Sequence, residues 1–296
     1  MSCSVSKEAL LPAAARPVCL MPVGIRSLEV ARLADVTPVM RRITLTGAEL
    51  KEFTGSNGNF TAEFLSPNFD DDVRLLFPYP GEDTPVLPVI ENGRVTFAPG
   101  RRPIARAYTV RRFDSGAGEL DLDIILHGDG YASTWAKTVA IGDPIPVVGP
   151  GKTLPLPKDV NRSVLLGDDT AIPAIARFLE ELAPNSEGEA FITVPNGDYI
   201  YPLTSPDLFE VHWLVAEPSK EKTERTLCAA LQDRDLPAEN LFVWVAGEQS
   251  EVQATRRYLV NERGIPRQAV SFTGYWRRGH CGLPTPEQAD RSDSIH

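Results

Sequence analysis

Four consecutive residues, Arg106-Ala-Tyr-Thr109, offer the clearest chemistry in the sequence. On an extended strand, Arg106 and Tyr108 lie on the same face. There, a guanidinium fork can grip a diphosphate beside an aromatic ring that stacks on a flat heterocycle. The hydroxyl of Thr109 can hydrogen-bond a ring nitrogen. The alternative is a half-buried tyrosine beside a surface arginine, and these four residues alone do not decide between the two.

A second group follows the next strand, where a glycine turn leads into a helix. Two glycines let the backbone approach a ligand, and the free N–H groups of a helix start favour a phosphate. Ser133 is expected to cap this helix. Taken singly, a histidine at a strand end is more often structural, and a tryptophan here is more often core. The candidate ligand contacts are His127, Gly130, Ala132, Ser133 and Trp135.

A third group lies where two later strands end in glycine. One strand runs through Gly167 into a helix that Thr170 is expected to cap and whose first turn suits Pro173. The two edges predict a dinucleotide cleft at the carboxyl end of a sheet. The alternative is a plain strand-to-helix turn, and the G-x-G-x-x-G fingerprint is absent. The candidate contacts are Asp168, Asp169, Thr170, Ala171, Gly247 and Glu248.

A final group, Gly274-Tyr-Trp-Arg-Arg-Gly279, follows the last strand. Tyr275 and Trp276 on this turn can cover a flat ring system, and Arg277 and Arg278 can face an anion. The alternative is an aromatic pair that only seals a domain boundary.

Two kinds of periodicity indicate two domains. Short alternating segments before residue 150 predict an antiparallel β-barrel with one short helix. Apolar strands that alternate with helices after residue 160 predict a doubly wound parallel α/β sheet. The predicted barrel strands include Phe60–Leu65, Ile104–Phe113 and Pro144–Val148, and the predicted later helices are Ala171–Leu182, Lys222–Gln232 and Glu251–Glu262. The predicted units are a loose tail 1–22, a barrel 23–152, an α/β domain 160–280 and a loose tail 281–296.

Composition limits the classes of function. The 296 residues carry a formal net charge of −10, which argues against nucleic acid or an anionic membrane as a partner. No apolar run is long enough to span a membrane, and no signal peptide is evident. Four scattered cysteines fit a reducing, cytoplasmic compartment, and their spacing encodes no metal site.

In this order, the segments resemble the siderophore-interacting protein family of the ferredoxin–NADP reductase-like superfamily. The similarity covers about residues 25 to 280. The segments that carry it are Val73-Arg-Leu-Leu-Phe-Pro78, Arg106-Ala-Tyr-Thr-Val-Arg111, Leu126-His-Gly-Asp-Gly130, Ala132-Ser-Thr-Trp-Ala136, Gly142-Asp143, Gly149-Pro150, Gly167-Asp-Asp-Thr-Ala-Ile-Pro-Ala174, Val243-Trp-Val-Ala-Gly-Glu248 and Gly274-Tyr-Trp-Arg-Arg-Gly279.

The resemblance implies a ferric-siderophore reductase in which FAD takes a hydride from NADH or NADPH and passes single electrons to iron(III). It assigns the first two groups and Trp276 to FAD, and the third group to NAD(P)H. A basic cluster of Arg101, Arg102, Arg277 and Arg278 is expected to hold the anionic iron complex. No protein nucleophile and no resident metal are expected.

Two positions depart from the family pattern. Tyr131 stands where a proline is expected in the glycine turn. Trp213 is not followed by the arginine that many relatives place there, which favours NADH over NADPH.

Two other functions remain open from the residues. One is a general NAD(P)H- or ferredoxin-linked flavin oxidoreductase whose acceptor is not a siderophore. The other is a binding protein that holds flavin or a ferric siderophore without turnover. Ferredoxin is an alternative electron-donor partner for both enzymes, the siderophore reductase and the general oxidoreductase.

Overall fold

The computed structural model describes residues 16–55, 58–91, 93–128, 130–157, 160–216, 226–237 and 240–279. The N-terminal half is built on antiparallel strands and one helix. Its elements are β1 (Cys19–Leu20), β2 (Ile25–Thr37), β3 (Met40–Thr46), β4 (Phe53–Thr54), β5 (Phe60–Thr61), β6 (Asp72–Phe77), β7 (Val89–Glu91), β8 (Arg94–Thr96), β9 (Ile104–Thr109), β10 (Arg112–Asp114), β11 (Glu119–Ile125), α1 (Tyr131–Thr138), β12 (Pro144–Val148) and β13 (Lys152–Thr153).

Seven of these strands form one sheet in the order β10-β11-β3-β2-β12-β6-β9. Alternate residues on β11, such as Leu120, Leu122 and Ile124, are fully buried in a single hydrophobic core. Ile104 of edge strand β9 lies in that core, and Phe113 of edge strand β10 packs against it. Because both edges reach the same core, the sheet curls as a barrel does.

Two predicted strands differ from the structure. The segment Phe60–Leu65 is extended only over β5, after which Phe64 turns into the core. The predicted strand Ile104–Phe113 is two strands, because the chain changes neighbours between them. Val110 donates its backbone N–H to Asp71 at 2.8 Å, whereas Arg111 donates to Asp121 at 2.9 Å.

The prediction of a loose tail over residues 1–22 is wrong for its last part. Cys19 and Leu20 pair with Thr153 and Lys152. The side chain of Arg16 is only 3% exposed, and its buried charge is paired with Asp70. Residues 1–15, with Cys3, and residues 280–296, with Cys281 and the predicted C-terminal tail, lie outside the described residues.

The C-terminal half is a parallel sheet with helices on both faces, as the sequence predicts. The strand order is β16-β15-β14-β17-β18. Its elements are β14 (Arg162–Asp168), α2 (Ile172–Glu181), β15 (Glu187–Val194), β16 (Phe209–Val215), α3 (Thr226–Ala230), β17 (Leu241–Glu248), α4 (Gln249–Arg257) and β18 (Val270–Trp276).

Alternation along β14 shows how the two faces are covered. Leu165 packs in the cluster that contains α2, whereas Val164 and Leu166 pack in the cluster that contains residues of α3 and α4. The predicted helix Glu251–Glu262 begins at Gln249 and ends in a π-helical turn, Tyr258–Glu262. Of the predicted helix Lys222–Gln232, the structure has α3, and residues 217–225 lie outside the described part.

The two halves are joined by buried polar contacts. Arg177 of α2 donates to the carbonyl oxygens of Ser66 at 2.7 Å and Val110 at 2.8 Å, both in the N-terminal half. Arg16 forms a bidentate pair with Asp70 at 2.6 and 2.7 Å. The indole of Trp244 on β17 donates to the same carboxylate at 3.2 Å. Asp70 therefore ties the N-terminal segment to both halves.

Within the described residues, no helix combines the length and the apolar character needed to cross a bilayer.

We expect Asp70→Asn to lower the free energy of unfolding by about 3 kcal/mol, because it leaves the Arg16 guanidinium buried without its counter-charge. Urea denaturation of the FAD-loaded protein measures the change. The matched control is Asp35→Asn. This variant breaks the ion pair with Arg41, in which the Asp35 side chain is 60% exposed, so its effect on the free energy of unfolding should be much smaller. Equal losses in the two variants would contradict the role assigned to Asp70.

Candidate functional site

The first half of the site lies on β9, whose alternation places two candidate residues together. Arg106 and Tyr108 are half-buried and share the face of Ile104, which is fully buried. Tyr108 packs against the barrel core, and burial raises its pKa to about 12. The phenol is therefore uncharged at neutral pH. Thr109 is buried where the strand ends.

The glycine turn before α1 leaves room for a ligand beside open backbone donors. A Cβ on Gly128 or Gly130 would meet no heavy atom within 4 Å, and Gly128 has a φ of +58°. The first bond inside the helix runs from Thr134 N–H to the Gly130 carbonyl at 2.9 Å. Among the described residues no side chain caps α1, so the N–H groups of its first turn are open to an anion. This cradle fits the diphosphate of FAD.

The prediction that Ser133 caps this helix is wrong. Its hydroxyl lies 3.5 Å from the carbonyl oxygen of Gly128 and accepts no N–H of the first turn. Lys137 holds the same carbonyl at 3.0 Å, which fixes the turn from the helix side. The absence of this cap favours ligand binding, since a capping serine oxygen would accept one of the backbone N–H groups that a ligand could use.

The remaining predicted flavin contacts in this half differ in surroundings. His127 is exposed at the turn. Ala132 is buried on the core side of α1, so only its backbone can reach a phosphate. Trp135 packs on the barrel core and meets the Phe77 ring edge-on at 5.8 Å, so its role as a flavin contact stays a prediction.

Sequence reasoning assigned no contact to Tyr131, the first residue of α1. The guanidinium of Arg106 lies 5.7 Å from the centre of the Tyr131 ring, and Arg106 also donates to the Ala105 carbonyl at 2.8 Å. Tyr131 thus helps to orient the arginine that faces the turn. The sequence feature that could have identified Tyr131 is its position directly after Gly130.

The second half of the site is organised around Asp168 at the end of β14. One carboxylate oxygen accepts the backbone N–H and the hydroxyl of Thr170, at 3.0 and 2.5 Å. The other accepts the backbone N–H of Glu248 at 2.8 Å and the indole N–H of Trp276 at 2.7 Å. Asp168 therefore caps the turn before α2 in place of Thr170, and its carboxylate is committed to protein donors.

Neighbouring residues are adapted to this carboxylate. Gly247 has a φ of +140°, and a Cβ there would lie 2.6 Å from an oxygen of Asp168, so only glycine fits. Ala171 is fully buried below the turn. Pro173 lies in the first turn of α2, as predicted from its geometry.

Glu248 is also used internally. Its carboxylate caps α4 by accepting the N–H groups of Ser250 at 2.8 Å and Glu251 at 3.1 Å. The other oxygen accepts the backbone N–H of Arg278 at 3.2 Å. For Asp168 and Glu248, the structure thus favours positioning the surrounding backbone over a direct side-chain contact with a nucleotide.

Asp169 differs from its neighbour. Burial, with the nearby charge of Asp168 as a further cause, raises the pKa of Asp169 to about 7. It lies half-buried at the carboxyl edge of the sheet, where dinucleotides bind in such folds. Its charge therefore changes near neutral pH beside the predicted cofactor cleft.

The end of β18 connects the two halves of the site, because the last strand runs on through Tyr275 and Trp276 where the sequence predicted a turn. Tyr275 lies beside Thr109 at the end of β9, and burial raises the pKa of its phenol. The next residue, Trp276, is held by Asp168 and is 38% exposed. The sequence suggested that Tyr275 covers a ring system together with Trp276, but it did not suggest its place beside Thr109.

The four candidate arginines fall into two pairs at different points of the chain. Arg101 lies over the Tyr79 ring at 3.6 Å and pairs with Glu82 at 2.6 Å, and Arg102 lies over Phe97 at 4.4 Å. Arg101 and Arg102 precede β9, whereas Arg277 and Arg278 follow Tyr275, which lies beside the last residue of β9. The strand between them is about 17 Å long. The exposed pair at 277–278 is the one beside Trp276.

Two family models cover almost all of the described chain. The siderophore-interacting FAD-binding domain matches residues 29–154, and the siderophore-interacting protein domain matches residues 160–279. The chain belongs to the siderophore-interacting protein family. Its N-terminal half is an FAD-binding domain, and its two-domain fold is similar to that of a ferredoxin reductase in carbazole 1,9a-dioxygenase, with a TM-score of 0.58 at 17% identity.

Individual relatives agree with this family. The chain is 31% identical to the ferric vibriobactin reductase ViuB of Vibrio cholerae, over 86% of this chain and 90% of ViuB. It is 31% identical to the NADPH-dependent ferric-chelate reductase of Escherichia coli, over 85% and 92%. A siderophore utilization protein from T. fusca matches with a TM-score of 0.79 at 37% identity, over 90% and 98% of the chains.

We expect Asp169→Asn to stabilise the protein increasingly as the pH rises. The ordinary pKa of an unfolded aspartate is near 4, so the folded state holds the Asp169 proton more tightly and loses stability as the pH rises from about 4 to about 7. The asparagine removes this loss. The gain in Tm should be small at pH 5 and largest at pH 8.

The control for this prediction is Asp114→Asn. Hydrogen bonds from the backbone of Ala117 and Gly116 hold the pKa of Asp114 below its ordinary value. Its effect on Tm should therefore be the same at pH 5 and pH 8. A gain from Asp169→Asn that does not change with pH would contradict the raised pKa.

Proposed function

We propose that this protein is an FAD-dependent ferric-siderophore reductase. A hydride comes from NADH or NADPH, two single electrons go to two siderophore-bound iron(III) ions, and iron(II) is released in the cytoplasm. The observation that carries the proposal is the end of β18, which lies against β9 through Tyr275 and against the carboxyl edge of the parallel sheet through Trp276. Two consecutive residues thus join a flavin half-site to a nicotinamide half-site.

The proposal gives each barrel residue a binding role. When bound, FAD supplies the conversion of a two-electron hydride into single electrons. Arg106 and the open N–H groups of α1 would hold its diphosphate by charge-assisted hydrogen bonds. Tyr108 would stack on the ring system, and Thr109 would hydrogen-bond a ring atom.

The α/β half would hold the nicotinamide donor at the turn after β14. Thr170 and Asp169 lie at this edge, with Asp168 positioning the backbone around them. Sequence reasoning favours NADH, because no arginine follows Trp213 closely. A relative at 31% identity is named for NADPH, which supports the phosphorylated donor. Our proposal is therefore a nicotinamide donor, and the experiment below compares the two.

Arg277 and Arg278 are the proposed contacts for the anionic iron complex. Both are exposed beside Trp276 at the junction of the half-sites. Arg101 is already paired with Glu82, so it has less free charge to offer a ligand. Reduction weakens the hold of hard oxygen donors on iron, because iron(II) carries less charge than iron(III). The names of the relatives support this substrate class.

The test is an anaerobic titration of FAD-loaded protein with NADH and, separately, NADPH. We expect at least one nucleotide to bleach the flavin absorbance stoichiometrically. A ferric hydroxamate or catecholate complex, added next with an iron(II) trap, should restore the absorbance and yield two trapped iron(II) ions per flavin.

Other outcomes separate the competing functions. Bleaching that is reversed by quinones but not by ferric complexes would favour a general flavin oxidoreductase. Flavin that stays oxidised with both nucleotides but is reduced by a ferredoxin would overturn the nicotinamide donor. Flavin that no donor reduces would favour a binding protein.

A further inference from the structure

The amino edge of the parallel sheet carries a cluster of charged groups that the proposed reaction does not use. It lies on the first residues of β15 and β16, which pair Glu189 with Glu210 and Phe191 with His212. The dinucleotide cleft is at the opposite, carboxyl edge. Five strand positions from Glu189 to Val194 separate the two edges by about 17 Å.

Strand register places the potential metal ligands on one face. Residues two apart point to the same side, so Glu189, Glu210 and His212 project together. Nε2 of His212 lies 3.3 Å from an oxygen of Glu189 and 3.4 Å from an oxygen of Glu210. One ligand atom from each of the three residues falls within 4.8 Å of the others.

The histidine nitrogen is shielded from solvent but satisfied by no hydrogen bond within the described residues. The distances from this nitrogen to the two carboxylate oxygens are short enough for hydrogen bonds, so the angles are what exclude them. An imidazole nitrogen in this condition is costly unless something else binds it. A metal ion between the three ligands would satisfy it.

The two distances from the histidine nitrogen to the carboxylate oxygens agree with a tetrahedral zinc ion. Zn²⁺ bonds of about 2.0–2.1 Å at tetrahedral angles put neighbouring ligand atoms about 3.3–3.4 Å apart. Calcium and magnesium prefer oxygen ligands alone, so an imidazole argues against both. One nitrogen and two carboxylates leave a fourth position for water.

The ligands are held in place by their surroundings. The His212 ring stacks on Phe191 at 4.7 Å with an interplanar angle of 17°. Glu189, whose side chain is 5% exposed, is oriented by Arg162 at 2.8 Å and Arg234 at 3.0 Å. Outer contacts of this kind orient metal ligands in proteins.

The cluster borders a cavity of about 360 Å³ that opens to solvent. Three carboxylates, from Glu187, Glu189 and Glu210, and two guanidinium groups, from Arg162 and Arg234, line it. One net negative charge therefore remains after the arginines are counted, which favours a cation at this edge.

We propose that Glu189, Glu210 and His212 form a zinc-binding site that clamps edge strand β16 to β15. The site is independent of the proposed reductase activity. Zinc binding there takes no part in the proposed reaction and requires no change in the flavin or nicotinamide half-sites.

The test is calorimetric titration of FAD-loaded protein with ZnCl₂, together with Co²⁺ substitution as a spectroscopic probe. The wild-type protein should bind one equivalent that His212→Ala removes, or weakens by at least about tenfold. Co²⁺ should give the intense visible bands of a four-coordinate site in the wild type only. Zinc should also raise the Tm of the wild type more than that of the variant.

Matched carboxylate variants keep the test decisive if His212→Ala folds poorly. Glu210→Gln removes a ligand whose side chain is 70% exposed, so it should fold normally and still bind zinc at least about tenfold more weakly. Glu187→Gln removes a carboxylate from the same cavity that is no ligand, and it should change the affinity less than about threefold. Wild-type protein without a zinc equivalent, or equal affinities in wild type and Glu210→Gln, would overturn the proposal.

Discussion

The arrangement of the site depends on one buried carboxylate, that of Asp168. Burial raises its pKa and would make its charge costly, but four donors offset this cost. These donors come from the turn before α2, the end of β17 and the C-terminal indole. A single side chain thus fixes three chain segments that are far apart in sequence.

The consequence reaches the other domain through the residue before Trp276. Tyr275 lies beside Thr109, so the segment that Asp168 holds is also next to β9 of the other domain. The Arg16–Asp70 pair and the contacts of Arg177 hold the two domains together away from the site. Domain contact and site geometry are therefore maintained by different side chains, and the site itself needs no domain closure to bring its halves together.

Local pattern predicted the elements but not the long-range polar contacts. The alternation of Leu120, Leu122 and Ile124 and the bounds of β12 were readable because period and turn residues act locally. The role of Asp168 was not, since its partners Glu248 and Trp276 lie 80 and 108 residues away. Arg16 was assigned to a loose tail for the same reason, and Glu189 and His212 meet only through strand register. Ser133 was predicted as a helix cap from its residue type, but it lies inside the first turn of α1 and caps no N–H group.

The most direct test of the account is the rate of flavin reduction in Asp168→Asn, measured by anaerobic stopped flow with the nucleotide that reduces the wild type. The amide keeps the size of the side chain but has one acceptor oxygen, so at least one pair of donors is lost. The account predicts that FAD stays bound and that reduction slows by about tenfold or more, because the nicotinamide edge and Trp276 are no longer fixed. Reduction at the wild-type rate in the FAD-loaded variant would contradict it.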